Sequence, residues 1–485
     1  MAFSSSIFLV YFLPAFLIPL FLLDRKFRNY WILIASIFFY MWGAPKFVFV
    51  LLGSVLIDFY LVRWMSEREG DARKLLFWLS LLLNLGLLLY FKYMNFFVEQ
   101  FGALSGHSGG NPSHWVKIAL PVGISFITFQ KLSYTLDVYK KQFSPFKKLE
   151  YYAMYILMFP QLLSGPIVRP KQIAAQIEGI GRSESIDDRL TGFMRFAIGL
   201  AKKVLIADVL GEQVNAIFAM DSAHLSSGLA WIGAIAYTFQ IYFDFSGYTD
   251  MAIGIARMMG FRLPENFNSP YVSGSITEFW KRWHMTLGSW FRDYVFLPLA
   301  YATSRKMPKE KYLGIRADKV IYLIATSVTF LLCGFWHGAA WTFILWGVYQ
   351  GIFLILDRLV LLKYFKKAGR AASVAITFFI TVFGWVLFRS DSLASFRFYL
   401  HRMVAFRGGD NDLWLNPKFW TVMVIAVIFS FIGYSKKVEA WQNRLFDKPG
   451  NAIIIGFMLL ALLLFVISLA SITSTGFSPF IYFRF

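Results

Sequence analysis

The sequence predicts an all-α polytopic membrane protein, and three observations carry that reading. Apolar runs long enough to span a bilayer recur along the 485 residues. Hydrophobic residues make up 58% and charged residues 16%, where soluble chains hold about half and about a quarter. Basic clusters punctuate the loops between the runs, the mark of cytoplasmic loops. No stretch between runs would hold a soluble domain of ordinary size, so residues 1–485 are read as one integral membrane domain.

Residues 6–23 form the first span. Met1–Leu23 has neither the basic start nor the small-residue cleavage site of a signal peptide, so it is expected to stay in the protein. Arg25, Lys26 and Arg28 put the first loop in the cytoplasm and the N-terminus outside. Residues 30–43 and 46–62 are two more apolar segments around the turn Gly43-Ala-Pro-Lys46. A basic loop with Arg63, Arg68, Arg73 and Lys74 precedes an outward crossing at 75–97. Phe101–His114, rich in Gly, Ser and Asn, reads as an outer loop. Residues 117–139 return inward, interrupted by Pro121, Gly123, Ser125, Thr128, Gln130, Ser133 and Thr135, which suits a helix facing protein or a wet cavity. In 151–168, Pro160, Gly165 and Pro166 predict a broken or re-entrant helix.

Residues 171–215 are more polar and expected on the cytoplasmic side, partly as amphipathic helix. Gly228–Met259 is a long apolar run. The run 320–357 is two apolar arms joined at Gly334, Trp336, His337 and Gly338, with basic clusters at both ends. Positive charge on both flanks predicts a hairpin that dips in and returns. Each arm reaches about 25 Å at the helical rise, which carries His337 into or beyond the middle of a hydrocarbon layer about 30 Å thick. Residues 371–388, 418–434 and 451–470 add further spans, leaving the C-terminus outside. The expected total is about ten to twelve crossings.

The formal net charge of +20 would suggest nucleic acid in a soluble protein. Here the excess sits in short loops, where it orients the chain and faces anionic lipid; no nucleic-acid partner is expected. The single Cys333 lies inside an apolar arm, and there is no Cys/His metal spacing, so no metal is expected. Walker and Rossmann signatures are absent; a Gly-x-Ser-x-Gly match at Gly106–Gly110 sits in the outer loop without a strand and helix around it.

Of six histidines, His107, His114, His224 and His401 read as solvated. His337, at the join of the hairpin, is costly at that depth and should face protein. Desolvation favours the neutral imidazole a general base needs, while a structural His at a helix break fits the same residues. His284 lies in Thr277–Tyr294, where Trp280, Trp283, Trp290, Phe291 and Tyr294 at helical spacing suit an interfacial helix. The alternative turns His284 inward and leaves Lys281 and Arg282 at the cytosol for an anionic ligand. Asp244, inside an apolar run, needs a partner: Lys281, Arg282 or a backbone donor.

Four stretches carry a family resemblance: Pro121–Phe126 with Ser133–Tyr139; Tyr242–Gly254; Glu265–Tyr271 running into Glu278–His284; and Gly334–Ala339. In wording and order they resemble the membrane-bound O-acyltransferase family, and within it the bacterial alginate O-acetylation branch. The matching core covers about residues 1–390, with 391–485 as C-terminal spans. The resemblance implies a ring of tilted, broken helices around a central funnel. It implies His337 as catalytic residue, His284 as a second functional position, and Asp244, Ser246, Asn268, Lys281, Arg282 and Trp336 about the substrates. It further implies acetyl-CoA as acyl donor with no tightly bound cofactor. The expected partners are extracytoplasmic acetyltransferases and an exported polysaccharide such as alginate, and the expected location is the cell inner membrane. D-Alanyl transfer to teichoic acid, and a polysaccharide transporter or scaffold, are the competing readings.

Overall fold

The computed structural model describes the chain except residues 105–115, 183–184, 313, 407, 409–414, 436, 439, 441–450, 477–478 and 482–485. The protein is helical almost throughout; among the described residues the exception is a two-stranded ribbon, Lys311–Tyr312 paired antiparallel with Ile315–Arg316, turning at Gly314. Six helical stretches are long and apolar enough to cross a membrane: Phe47–Glu67, Gly70–Leu104, Ala317–His337, Trp341–Arg389, Pro417–Tyr434 and Ile455–Ser474. Large apolar side chains such as Leu82, Leu85, Phe429, Leu459, Leu463 and Val466 are exposed on them, as lipid-facing surfaces require and soluble surfaces avoid. Arg25–Gly43 and Ser227–Met258 are further continuous helices of 19 and 32 residues, whereas other expected crossings fold as shorter or broken pieces. The first is Ile7–Phe12 with π-helical turns continuing into Leu13–Leu22.

The chain divides into two compact units, Met1–Phe196 with Met251–Pro264, and Ala197–Asp250 with Glu265–Phe485. In the first, Phe159 stands where the helix of Leu149–Leu157 breaks, and its ring meets Phe3, Phe8, Phe12, Phe16 and Phe39 at 5.1–6.4 Å. The break predicted for 151–168 is therefore an aromatic packing point. The segment expected to return from residue 117 becomes helical only at Ile124, after Pro121 and Gly123. Gly123 has φ 80°, and a Cβ there would strike the Leu162 carbonyl, so the chain turns before it can wind. Buried Asp58 of this unit, which the sequence does not flag, accepts from Ser80 at 2.6 Å, Asn84 at 2.8 Å and Tyr152. The fully buried carboxylate is thus satisfied by neutral donors, as a group held out of water must be.

The second unit holds the site. Its helix pair Ala317–His337 and Trp341–Leu356 forms the hairpin expected from the flanking charges. Gly334 and Gly347 let the two backbones touch: a Cβ on Gly334 would enter the Phe343 carbonyl, and one on Gly347 the Phe330 carbonyl. Beside it, Val382, Val386, Tyr399 and Met403 pack on Ile217, Leu225, Leu229 and Ala234.

Candidate active site

His337 is the last residue of its helix; Gly338 and Ala340 are extended before the next helix starts at Trp341. The imidazole is buried, 5% exposed. Rings enclose it edge-on: Trp336 at 4.8 Å, Trp346 at 4.9 Å and Phe388 at 5.4 Å. Those walls exclude water, while the C-terminal end of the helix favours positive charge. An imidazole that gains a proton during reaction is stabilised there.

His284 is 1% exposed. Thr277–Tyr294 is not one continuous helix: Ile276–Arg282 and Met285–Phe291 are separate, broken at His284, whose φ of 42° and ψ of 53° are left-handed. Trp283 and Trp290 are buried, which removes the exposed aromatic belt of an interfacial helix. A non-glycine residue in this region costs about 1–3 kcal/mol and persists where surroundings fix it. Here the segment Glu265–Asn268 fixes it. Asn266 accepts the Met285 N–H at 2.9 Å through its carbonyl, and Asn268 donates its N–H to the Arg282 carbonyl at 2.9 Å. The Asn266 side-chain oxygen meets His284 Nδ1 at 3.0 Å and also accepts from the Thr286 N–H at 3.2 Å and hydroxyl at 2.9 Å. Burial lowers the His284 pKa to about 3, so the ring is neutral.

A chain of indoles runs between the histidines. Trp346, against His337, lies 6.0 Å from Trp385, which lies 4.7 Å from Trp283, the neighbour of His284 in sequence. Asp357 at the far end of the hairpin accepts from Thr277 N–H at 3.0 Å and its hydroxyl at 2.5 Å, anchoring the helix before His284 to the hairpin of His337.

Asp244 is 1% exposed. Its partners are Lys203 at 2.8 Å and the Ile481 N–H at 2.7 Å, so the backbone donor is found, while Lys281 and Arg282 give way to Lys203. Lys203 also reaches Asp208 at 2.6 Å. Burial works against its charge, but Asp244 and Asp208 outweigh that and raise its pKa. Phe245, next on the helix, meets His284 at 4.7 Å and Phe480 at 5.6 Å, which brings the C-terminal segment alongside.

The remaining sequence-predicted residues fall as follows. Ser246 is buried on the helix of Asp244, and Trp336 is buried beside His337. Lys281 is exposed. Arg282 is engaged within the protein, donating to Glu278 at 3.0 Å and the Asn268 carbonyl at 3.1 Å. His224 is half-exposed on Asp221 at 2.7 Å and His401 is exposed, whereas His107, His114 and the Gly106–Gly110 match lie outside the described residues. No metal-binding group of three His, Cys, Asp or Glu occurs among the described residues. Sequence reasoning missed Asn266 and Lys203. The available signal for Lys203 was a lysine running directly into Val-Leu-Ile; for Asn266 it was an Asn two positions before another in a short polar loop.

Two buried imidazoles among aromatic rings, that of His284 neutral, suit proton transfer or orientation of a reacting hydroxyl where water is scarce. Comparison with known proteins points to the same chemistry. The chain is 35% identical over 505 residues, covering 100% of both chains, to a probable alginate O-acetylase of Pseudomonas putida. It is 33% identical to a peptidoglycan O-acetyltransferase of Helicobacter pylori, over 84% of this chain and 80% of that one. It is 31% identical to a teichoic acid D-alanyltransferase of Bacillus subtilis, over 55% of this chain and 68% of that one. The profile of the membrane-bound O-acyltransferase family matches residues 70–389, a span that contains both histidines and every residue placed about them except the C-terminal segment. The chain belongs to the membrane-bound O-acyltransferase family and is an O-acyltransferase.

Proposed function

We propose that the protein moves an acetyl group from cytosolic acetyl-CoA across the cell inner membrane for O-acetylation of an exported polysaccharide, alginate or a similar polymer. The observation that carries this reading is His337, held at the tip of a helix hairpin in a ring-lined, water-poor setting. The full-length similarity to alginate O-acetylases supports the acyl group and acceptor class. The D-alanyltransferase relative matches less of this chain.

The reaction is attack of a hydroxyl on the acetyl thioester. A C–O bond forms and the C–S bond breaks. His337 takes the hydroxyl proton and returns it to the departing thiolate, so it ends neutral. His284 orients a reacting group. Lys281, with the basic loops near it, meets the donor's phosphates, while Arg282, Asn268, Asp244, Ser246 and Trp336 shape the surroundings. Extracytoplasmic acetyltransferase partners receive the acetyl group, and both termini lie outside the cytoplasm.

Inverted membrane vesicles given radiolabelled acetyl-CoA test the donor. Label should accumulate on lumenal acceptor with the wild type and stay in the donor with His337→Ala. Transfer that instead requires a D-alanyl carrier protein would replace this reading with the D-alanyl one.

A further inference from the structure

We propose that Asn266 is a positioning residue that locks the His284 ring as its Nδ1–H tautomer, so that Nε2 is a hydrogen-bond acceptor toward the substrates and not a donor to the thioester carbonyl. The inference rests on His284 belonging to the active site, as proposed above.

The geometry decides the assignment. The Thr286 backbone N–H can only donate, and it points at the Asn266 side-chain atom also nearest His284. That atom is therefore the amide oxygen; the NH2 group in its place would set two donors against each other. An amide oxygen only accepts, so His284 Nδ1 at 3.0 Å must carry the hydrogen. A neutral imidazole has one N–H, which leaves the lone pair on Nε2. Asn266 is itself 1% exposed, and its backbone carbonyl accepts from the Met285 N–H, so the residue is fixed to the segment directly after the histidine. A ring fixed this way can orient a hydroxyl or thiol by accepting its hydrogen bond. It cannot stabilise an oxyanion.

Two uncharged groups meet the imidazole, Asn266 and, from the neighbouring helix, Phe245. Asp244 on that helix is bound to Lys203. On its own segment Arg282 is bound to Glu278, and Lys281 is exposed.

Solid-state NMR of the full-length protein, 15N-labelled at histidine and reconstituted in bilayers, tests this without altering the site. With six histidines the spectrum is sparse, and signals lost in His284→Gln identify residue 284. The expected pair is a protonated Nδ1 and an unprotonated Nε2; a protonated Nε2 overturns the proposal. Asn266→Ala should lower acetyl transfer about 10- to 100-fold, the usual effect of losing a group that orients a functional histidine, and mix the tautomers. Asn266→Asp keeps the acceptor and adds a negative charge that raises the imidazole pKa, so transfer should persist with its acid limb displaced to higher pH. A purely structural Asn266 would leave that limb in place, which contradicts the proposal. Full transfer by His284→Gln sinks the role given to His284 above, whereas the wild-type spectrum still decides the tautomer.

Discussion

Lys203 and Asp244, forty-one positions apart, form a buried ion pair at 2.8 Å inside the unit that carries both histidines. The pair ties the helix beside His284 to a π-helical turn at Lys202–Ala207 and, through the Ile481 N–H, to the C-terminal segment. Removing one charge leaves the other uncompensated. Lys203→Met is expected to destabilise the protein by about 3–5 kcal/mol, read as a lower thermal midpoint in detergent. Adding Asp244→Asn should recover part of the loss, because the surviving polar group is then neutral.

The hairpin depends on glycine at its crossing. Gly334→Ala forces a methyl into the Phe343 carbonyl and should cost about 1–3 kcal/mol. Gly53→Ala, in a helix with nothing within 4 Å of the new methyl, is the matched control and should be neutral or stabilising. Thermal midpoints of the two variants check the contrast.

His284 makes stability depend on pH. Its pKa falls from an ordinary 6.5 to about 3 in the folded protein. Between those values the unfolded chain binds a proton that the folded protein refuses. Stability is therefore fully present above pH 6.5 and declines as pH drops toward 3. Between pH 7 and 5 the thermal midpoint of the wild type should fall by more than that of His284→Gln.

Trp346 packs on His337 and on Trp280, Trp385 and Phe388. Trp346→Phe keeps the site apolar but leaves the imidazole less restrained. Acetyl transfer should fall by about 10- to 100-fold, since displacement of a reacting group by an ångström has that effect, with the protein still folded by size-exclusion chromatography.

What was legible in the sequence was local. The hairpin of 320–357 could be read because two apolar arms and their flanking charges act within one stretch. The broken helix after Leu157 announced itself through proline and glycine. The break at His284 did not, because the residues on either side keep helical spacing and the left-handed backbone is held by Asn266 and Asn268 from another segment. Lys203 was illegible as the partner of Asp244 for the same reason: nothing in either neighbourhood specifies a pairing across forty-one residues. The late start of the helix at Ile124 follows from the Gly123 approach to Leu162, which is again non-local.

The most direct test of the account expresses the protein with an exopolysaccharide operon and compares wild type with His337→Ala, measuring acetyl groups per sugar and polymer yield separately. The account predicts that acetylation is abolished while yield and membrane abundance of the protein are unchanged. Unaltered acetylation in the variant would contradict the role of His337, and a collapse of yield with normal acetylation per sugar would instead indicate a transporter or scaffold.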